Sequence, residues 1–428
     1  MKVKPALIST FDRRGGAALA TYRLHKALRK SGADSRLFVA SKDSRDPSVV
    51  GRDSWAGEGQ TKLRTTLDNL PLRRYPNRRA LFSPAWVPDR LRASLQDFRP
   101  DLLHLFWITG GMVRIETLGR VDRPIIWTLH DMWAFTGGCH YDDECGKYAV
   151  ACGACPVLQS GKEEDLSRSV FRRKSSAWAD SDITVVATSK WLRDCAASSA
   201  LFGQRRIEVL PNCVDTHTYQ PLEKAAVRRL FGLDEHAKTI LFSGGSAHKD
   251  PRKGLRYLFE ALAMLNGDST SPLNAQVMLL GIPDDAVLPD CPFPIKRLDY
   301  LQDELSQAAL YNTADVLVAP SVQENLSNVV VESVCCGTPV VAFDIGGMPD
   351  IITPGQTGYL ARPFSAASLA EGIHSVLDNE TRAASELSQR CRQLAVSRYS
   401  EEVVARQYLD LYADVIARSG ANQQRVQG

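Results

Sequence analysis

Residues 320–350 constrain the fold more than any other stretch of the sequence. They read PSVQENLSNVVVESVCCGTPVVAFDIGGMPD and follow the apolar run DVLVAP, which is typical of a buried strand. Residues 328–336 have the pattern of a helix, and Gly337 supplies the left-handed residue that often ends one. The run TPVVAF then predicts a second buried parallel strand. The stretch is therefore predicted to be strand, loop, helix and strand.

Ligands of such a unit bind at the carboxyl ends of the strands, against the helix N-terminus. The loop residues Asn325, Leu326 and Ser327 would present backbone N–H groups there. Glu332 falls in the early part of the helix, where its carboxylate could accept hydrogen bonds from sugar hydroxyls. A sugar that bears phosphate fits this arrangement. The alternative, which the stretch taken alone favours, is that Glu324 and Glu332 only cap and solvate a surface helix.

Composition and charge restrict the class of protein. The 428 residues are enough for two or three domains, and the 44% hydrophobic and 24% charged residues are typical of globular proteins. No apolar run approaches the roughly 18 residues of a membrane span, and the N-terminal run is too short for a signal peptide. We therefore expect a cytoplasmic protein. The net charge divides into +11 over residues 1–210 and −8 over residues 211–428, which predicts two domains with different partners.

Residues 43–99 mix basic, aromatic and proline residues, and we expect an irregular segment in which the prolines break any long helix. Arg and Lys recur at Lys62, Arg64, Arg73, Arg74, Arg78, Arg79, Arg90 and Arg92, among other positions, with Tyr75, Phe82, Trp86 and Leu91 interleaved. Such a mixture suits an anionic membrane surface or a phosphate group. A solvated insertion whose aromatic side chains pack onto the domain fits equally well. Nucleic acid is a weaker alternative, because no recognition motif accompanies the charge.

Both halves alternate predicted strands and helices, and several strand ends carry candidate site residues. Gly15 and Gly16 stand at the first strand-to-helix turn, where the backbone can approach an anion closely. His130 directly follows the predicted strand RPIIWTL, on the ligand side of a parallel sheet. Arg252 and Lys253 lie in the loop SAHKDPRKG before a helix, an arrangement that can cradle a pyrophosphate. The Walker P-loop pattern is absent.

Four of the ten cysteines are clustered in the sequence, at Cys139, Cys145, Cys152 and Cys155. Clustered cysteines in a cytoplasmic protein more often bind metal or carry out redox chemistry than form disulfides. The first hypothesis is a structural zinc site with four thiolate ligands, for which His140 is an alternate ligand. The spacing is not that of a standard zinc finger, so two disulfides or free thiols in a packed loop stay open as alternatives.

A domain boundary is predicted near residues 211–221, where prolines and Asn212 interrupt the alternation of strands and helices. Two doubly wound α/β domains are therefore expected, followed by an amphipathic helix. The predicted segments are an N-terminal Rossmann-like domain (1–210) with a Cys-rich insertion (139–155), a C-terminal Rossmann-like domain (211–398), and a C-terminal helix with a polar tail, the helix packing back on the N-terminal domain (399–428).

The segment PSVQENLSNVVVESVCCGTPVVAFDIGGMPDII resembles the donor-binding signature of the retaining glycosyltransferases of family 4. That family has the GT-B fold, in which two Rossmann-like domains face each other across a cleft. The resemblance extends to the N-terminal glycine pair, to HDMWAFTGGCHY, to VLPNCVDTHTYQP and to DPRKG, and so covers nearly the whole chain. The Cys-rich segment resembles a subset of bacterial polysaccharide-assembly transferases.

The resemblance implies roles for individual residues. Glu324 would approach the transferred sugar, Glu332 would bind the nucleotide ribose, and Lys253 would bind the diphosphate. The backbone amides of residues 325–327 would contact the donor, His130 would lie near the donor sugar, and the glycine pair would lie beside the donor phosphate.

The sequence departs from the family pattern in one place. Family members often carry an arginine several residues before the lysine, where it contacts the phosphates. Here that segment reads SGGSAHK, without an arginine. Arg252, Lys249 and His248 are the candidates to replace it.

The resemblance implies an enzyme that moves a hexose from a nucleotide-diphosphate sugar to a glycan acceptor, lipid-linked, in surface polysaccharide or exopolysaccharide synthesis. It would be cytoplasmic and peripheral on the inner membrane leaflet, with no nucleic acid partner. Catalysis would not require a metal, because cations and helix dipoles can stabilise the leaving diphosphate. An epimerase on the same fold is a second enzyme hypothesis. A non-catalytic nucleotide-sugar-binding or scaffold protein is the alternative outside catalysis.

Overall fold

The computed structural model describes residues 2–244, 250–265, 273–378 and 381–427. The chain divides into two units, one comprising Met1–Cys213 and Val404–Gly428 and the other comprising Val214–Val403. The boundaries expected from the sequence were at 210 and 398. Every strand pairing within each unit is parallel in the described residues. The predicted α/β fold class is confirmed.

In the described part of the first unit, seven strands form one sheet. The strands are β1 (Pro5–Phe11), β2 (Arg36–Lys42), β3 (Val49–Asp53), β4 (Leu102–Leu105), β5 (Ile125–Leu129), β6 (Ile183–Ala187) and β7 (Ile207–Val209). Their order across the sheet is β3-β2-β1-β4-β5-β6-β7. The α-helices are α1 (Gly16–Lys30), α2 (Ser54–Asp68), α3 (Leu91–Leu95), α4 (Ile115–Leu118), α5 (Leu166–Trp178) and α6 (Lys190–Ala197). Strands β4 and β5 are buried along their whole length, as expected of central strands covered on both faces.

The second unit contains a parallel sheet of six strands in its described residues. They are β8 (Lys238–Ser243), β9 (Ala275–Leu280), β10 (Ile295–Leu298), β11 (Val316–Ala319), β12 (Val340–Phe343) and β13 (Gly358–Ala361), in the order β10-β9-β8-β11-β12-β13. The remaining helices are α7 (Lys224–Leu230), α8 (Leu255–Leu265), α9 (Glu304–Thr313), α10 (Asn328–Cys335), α11 (Met348–Ile351), α12 (Ala366–Leu377), α13 (Thr381–Tyr399) and α14 (Glu401–Gln427). Alternate residues of each strand enter two separate apolar clusters, one with α8 and α12 and the other with α9, α10 and α13. The sheet is therefore buried on both faces.

Helix α14 contributes from Val404 onward to the core of the first unit, where its apolar residues pack with β1, β2 and α1. A buried polar network also joins it to the central strands. His104 Nδ1 lies 2.6 Å from the hydroxyl of Tyr412, and His104 Nε2 lies 2.7 Å from Thr128 Oγ1. Burial holds the pKa of His104 well below its usual value, which keeps the ring neutral. Across the described ranges, neither α14 nor any other helix has the length and apolarity required to span a membrane.

The predicted irregularity of residues 43–99 is wrong for the first part of that segment. Strand β3 and the 15-residue helix α2 both lie between Pro47 and Pro71, and neither contains a proline. The Asp68 carboxylate at the end of α2 accepts hydrogen bonds from the amides of Ala85 (3.2 Å) and Trp86 (3.0 Å). These bonds hold the proline-containing loop against the helix.

Candidate active site

The candidate site of the second unit lies where the loops after three neighbouring strands meet. Strand β11 is between β8 and β12, so the loops that follow these parallel strands leave from one edge of the sheet. The amide N–H of Val322 donates to the carbonyl oxygen of Arg252 at 2.8 Å. The amide N–H of Gly347 donates to the carbonyl oxygen of Asn325 at 2.9 Å. These two bonds fix the loop that contains Glu324 between its neighbours.

The structure brings together Lys253 and Glu324, which are 71 residues apart in the sequence. Lys253 Nζ lies 2.7 Å from Glu324 Oε2, and the two side chains are 35% and 16% exposed. Asp250 begins the turn that positions the lysine, because its carboxylate accepts from the amide of Arg252 at 3.1 Å. The pair is thus accessible at the ligand edge of the sheet.

Two glycines allow the loops to approach each other so closely. A Cβ atom on Gly254 would lie 1.8 Å from the carbonyl oxygen of Pro320, and one on Gly346 would lie 1.9 Å from that of Glu324. Both glycines have positive φ, 68° and 52°, which L-residues adopt only with strain. Neither glycine was predicted as a site residue, although the motifs DPRKG and FDIGG contain them.

Helix α10 starts at this edge, with Ser327 as its N-cap residue. The two loop residues that precede it, Asn325 and Leu326, are buried. Glu332 in the helix is only 3% exposed, and its Oε2 accepts a hydrogen bond of 2.8 Å from the hydroxyl of Tyr311. Burial, together with the Glu332 charge, raises the pKa of Tyr311 well above its usual value, so this hydroxyl stays a donor. The interpretation that Glu332 solvates a surface helix is therefore wrong.

The guanidinium group of Arg252 lies next to Lys253 but pairs with Asp250. Arg252 Nε is 3.0 Å from Asp250 Oδ1, and Nη2 is 2.8 Å from Oδ2. The hydrogen bonds from Arg252 lower the pKa of this carboxyl group. His248 and Lys249, the other candidates to replace the missing arginine, lie outside the described residues.

The predicted glycine pair of the first unit stands at an open helix N-terminus. Gly15 has φ 86° and precedes α1, whose first residue is Gly16, and both glycines are exposed. Among the described residues, no heavy atom would lie within 4 Å of a Cβ placed on Gly15. The first turn of α1 has no acidic side chain. The position suits an anion, and the predicted contact with a donor phosphate stays a prediction.

His130 directly follows β5, as the sequence predicted. Its Nε2 atom lies 3.2 Å from the side-chain oxygen of Asn212, so the ring donates there when Nε2 carries the proton. Burial lowers the pKa of His130 to about 4, which makes the ring neutral near pH 7. In the sequence, Asn212 was noted only as part of a domain boundary. Its position beside His130 follows from the sheet, in which β5 and β7 are parallel strands separated by β6, so that the residues after them lie at the same edge.

A second polar cluster beside His130 was not predicted. Asp131 Oδ2 lies 2.6 Å from His140 Nδ1 and accepts from the indole N–H of Trp107 at 3.1 Å. The other ring nitrogen of His140, Nε2, is 2.9 Å from Ser83 Oγ. Since both ring nitrogens are engaged, the prediction of His140 as an alternate zinc ligand is wrong. The only sequence signal for this cluster was the position of Asp131 directly after His130.

The clustered cysteines do not assemble into a metal site. Cys139, Cys152 and Cys155 are buried, Cys145 is half-buried, and all four are free thiols. In the part of the chain that the structure describes, no group of three or more His, Cys, Asp or Glu side chains is placed to hold a metal ion. Burial raises the pKa of the Cys152 thiol to about 11, so in the absence of a metal this thiol is protonated near pH 7. The residues fit free thiols in a packed loop and do not fit the predicted zinc site.

Two parallel sheets with helices on both faces are the architecture of GT-B glycosyltransferases, and solved structures of that class match the chain. Sucrose-phosphate synthase from Thermosynechococcus elongatus is 20% identical, with a TM-score of 0.69 and coverage of 97% of this chain and 100% of that one. Anabaena HepE in complex with UDP and glucose is 16% identical, with a TM-score of 0.62 and coverage of 96% and 100%. These likenesses establish the GT-B fold.

Family models and curated relatives define the family. Residues 14–218 match the model for Glycosyltransferase Family 4, and residues 237–379 match the model for Glycosyl transferases group 1. D-inositol 3-phosphate glycosyltransferase of Mycolicibacterium smegmatis is 32% identical over 391 residues, 87% of this chain and 81% of the relative. Phosphatidyl-myo-inositol mannosyltransferase of Mycobacterium leprae is 26% identical over 354 residues, 81% of each. The chain belongs to glycosyltransferase family 4 and is a sugar-transferring enzyme.

Proposed function

We propose that the protein is a retaining hexosyltransferase that moves a sugar from a nucleotide-diphosphate donor to a lipid-linked glycan acceptor during surface polysaccharide synthesis. The observation that carries this proposal is the contact between Lys253 and Glu324, 2.7 Å long, at the ligand edge of the second sheet. A nucleotide donor is further supported by HepE, which was solved with UDP and glucose. The name of the mannosyltransferase relative, which includes a phosphatidyl lipid, supports a lipid-linked acceptor.

The proposed chemistry depends on stabilising the diphosphate as it leaves the sugar. The Lys253 ammonium and the N-terminus of α10 supply positive potential where negative charge develops. Glu324 positions the donor sugar and stabilises charge on it. The leaving phosphate accepts the proton of the acceptor hydroxyl in a same-face substitution, as the family resemblance implies, so Glu324 is not assigned as a covalent nucleophile.

Recognition of the nucleotide is assigned to Glu332. The Tyr311 hydroxyl donates to one carboxylate oxygen of Glu332 at 2.8 Å and so limits the rotation of that group. The place of Glu332 in α10, whose N-terminus lies at the ligand edge of the sheet, supports its assignment to the ribose hydroxyls. The roles of Gly15, Gly16 and His130 towards the donor stay predictions from the family resemblance.

A thermal-shift panel of UDP-glucose, UDP-N-acetylglucosamine and GDP-mannose tests the donor class. A ligand present at 100 times its Kd stabilises the folded protein by about 2.7 kcal/mol. We therefore expect at least one sugar nucleotide to raise the Tm by about 5 °C or more. Free glucose, mannose and N-acetylglucosamine are the controls and should have no effect. If none of the three sugar nucleotides shifts the Tm, the proposed function is wrong.

A lipid-linked acceptor requires the first unit to reach a membrane, and an exposed surface at the end of α2 suits this contact. Its apolar members are Leu63, Leu67, Leu70 and Trp86, and its cationic members are Lys62, Arg73 and Arg74; we call these seven residues the α2 patch. All seven are exposed, Leu63 by 60%. The indole N–H of Trp86 donates to the carbonyl oxygen of Asp68 at 3.1 Å, which holds the ring beside the helix end. Apolar side chains bordered by cations favour an anionic bilayer.

The α2 patch lies on the ligand side of the first sheet. Arg64 Nε donates to the carbonyl oxygen of Gly111 at 2.8 Å, and Thr65 Oγ1 donates to that of Gly110 at 3.0 Å. Both glycines belong to the loop that follows β4, so α2 is held at the carboxyl edge of this sheet. A bilayer in contact with the patch would therefore present its headgroups near the carboxyl ends of β4 and β5.

Co-sedimentation with lipid vesicles tests the α2 patch. We expect binding to phosphatidylcholine vesicles that contain phosphatidylglycerol, weaker binding to phosphatidylcholine alone, and loss of binding in high salt. Arg73→Glu with Leu67→Ser should reduce the affinity for anionic vesicles by about tenfold or more, since each surface cation contributes about 1 kcal/mol. Arg382→Glu with Leu230→Ser, two exposed positions of the second unit, is the matched control. An equal loss in both double variants would count against the patch.

A further inference from the structure

A pocket opens at the amino ends of β8, β11 and β12, the three strands whose opposite ends lead into the loops of Lys253 and Glu324. Lys238 begins β8, while Asp315 and Pro339 directly precede β11 and β12, and all three residues line the pocket. Its empty space is about 550 Å³ including the open mouth, and about 100 Å³ is wide enough for a water-sized group. A ligand here is separate from the sugar donor, because β11 and β12 are four residues long and keep the two edges roughly 13 Å apart.

Hydrogen bonds fix the polar wall of this pocket. The buried Asn312 side chain accepts from the amide N–H of Leu222 at 2.7 Å and donates to the carbonyl oxygen of Gln220 at 3.0 Å. The hydroxyl of Thr338, also in the lining, donates to the carbonyl oxygen of Tyr311 at 2.8 Å. These bonds tie the segment before α7 to α9 and to the turn before β12. The pocket therefore has a preformed shape, which lowers the entropy cost of binding a ligand.

The carboxylate in the lining, that of Asp315, is already compensated by cations. Its Oδ1 accepts from Lys224 Nζ at 2.9 Å, and its Oδ2 accepts from Arg228 Nη2 at 2.5 Å and from the amide N–H of Thr239 at 2.7 Å. Arg228 also donates through Nε to the carbonyl oxygen of Thr313 at 3.0 Å, so it compensates the negative end of α9 as well. Neither Asp315 nor this helix end therefore leaves the pocket with an unbalanced negative charge.

Lys238 adds a cation that the described part of the protein does not pair. Among the described residues, no acceptor lies within hydrogen-bond or ion-pair distance of its Nζ atom. Next to it the lining is apolar, and its members are Leu222, which is 43% exposed, Pro221, Pro339, Val376 and Leu387. An apolar cavity of about 150 Å³ admits benzene, so a space of about 100 Å³ suits a short alkyl chain. The pocket thus combines an available positive charge with room for a small apolar group.

We propose that this pocket is a second ligand site, which binds a small organic carboxylate. The carboxylate accepts hydrogen bonds from the Lys238 ammonium, and a short apolar chain lies against Leu222 and the neighbouring apolar lining. An amine of the same size is disfavoured, because the lining carries two lysines and one aspartate. The proposal goes beyond the proposed function, since it concerns the edge of the sheet opposite Glu324 and requires no sugar nucleotide.

Saturation-transfer NMR on the full chain tests the site, with an excess of UDP present so that the probe does not bind at Lys253. The probe is 3-methylbutanoate, and the comparisons are 3-methylbutanamide, which has the same shape without the charge, and 3-methylbutan-1-amine, which has the opposite charge. We expect the carboxylate to bind and both comparisons to bind more weakly by about fivefold or more, the effect of losing one accessible ion pair. Equal binding of the amide and the carboxylate would show that Lys238 does not bind the probe.

Two variants locate the probe. Lys238→Gln should weaken binding of 3-methylbutanoate by about fivefold or more, and Leu222→Ser, which removes apolar contact at the mouth, by about threefold. Lys296→Gln is the matched control, because Lys296 lies on β10 outside the lining, and it should not change binding. The Tm of each variant shows whether it is folded. The proposal is overturned if 3-methylbutanoate does not bind the wild-type protein, if both folded variants bind it as the wild type does, or if Lys296→Gln loses as much binding as Lys238→Gln.

Discussion

Replacing Lys253 with alanine is expected to lower kcat for donor turnover by about two to three orders of magnitude, the usual effect of losing one preorganised group that stabilises a developing anion. Lys253 lies 2.7 Å from Glu324, at the start of α8 and beside the loop that leads into α10. Its ammonium is the cation that the described residues bring closest to this carboxylate. The measurement is the initial rate of nucleotide release with the sugar nucleotide that gives the largest thermal shift.

Glu324→Ala and the double variant, compared with Lys253→Ala, separate binding of the diphosphate from positioning of the sugar. Lys253→Ala should raise the Kd for UDP, since the lysine is assigned to the diphosphate. Glu324→Ala should lower kcat by a similar factor while the Kd for UDP stays within about threefold, because Glu324 is assigned to the sugar. In the double variant the two losses should not add, because each side chain acts on the same transition state and the two are in contact.

Lys224→Ala is the matched control for this series. Lys224 pairs with Asp315 at 2.9 Å in the same unit, and Asp315 precedes β11, at the opposite edge of the sheet from Glu324. Asp315 keeps a second partner, Arg228, so the control should change neither kcat nor the Kd for UDP. Turnover by Lys253→Ala within threefold of the wild type would show that the site assignment is wrong.

The local structure around Glu324 was predictable because its signals lie within a few residues of one another. The apolar runs before and after it became β11 and β12, and the helix predicted over residues 328–336 became α10, Asn328–Cys335. Gly337 has φ 76°, the left-handed conformation expected at the helix end. Periodicity and turn chemistry determine such features locally, so one sequence was sufficient.

The contacts that form the site depend on strand order, which hydrophobic patterns do not encode. The pairing of Lys253 with Glu324 requires β8 and β11 to be neighbours, although β9 and β10 lie between them in the sequence. The contact of Asp131 with His140 could not be predicted for the same reason. It requires the segment after β5 to fold so that Asp131, His140 and Trp107 meet. The zinc hypothesis shows a related limit, because closeness in sequence does not by itself give four thiols the geometry of a metal site in the described residues.

Helix α2 was not predicted for a different reason, which is that the prolines of residues 43–99 were given too much weight. Pro71 lies in the first turn of a short 3-10 helix, Leu70–Arg74, where proline is tolerated, and α2 ends at Asp68, before Pro71 and the prolines that follow it. Treating residues 43–99 as one irregular segment extended the effect of these prolines backwards over a helix that they do not interrupt. At the end of α2 the Asp68 carboxylate accepts hydrogen bonds from the amides of Ala85 and Trp86, which are contacts that local periodicity does not encode.

Replacing Gly346 with alanine is expected to reduce turnover by about a hundredfold, although no role in binding the donor is assigned to this residue. The new Cβ would lie 1.9 Å from the carbonyl oxygen of Glu324, so the loop must move by about 1 Å or more. Displacements of that size at a reacting centre cost about two orders of magnitude in rate. The positive φ of 52° adds backbone strain, which should lower the Tm as well.

Gly355→Ala separates the displacement of Glu324 from the strain, because Gly355 has a similar positive φ of 71° but no heavy atom within 4 Å of its added Cβ among the described residues. Both variants should lose about 1 to 2 kcal/mol of stability from the left-handed conformation, whereas only Gly346→Ala should lose turnover. Measuring kcat at a temperature well below both Tm values keeps unfolding out of the comparison. Equal turnover in the two variants would mean that the position of the Glu324 loop does not limit the reaction. A selective loss in Gly346→Ala would instead show that the loop after β12 sets the position of the Glu324 carboxylate and that this position limits turnover.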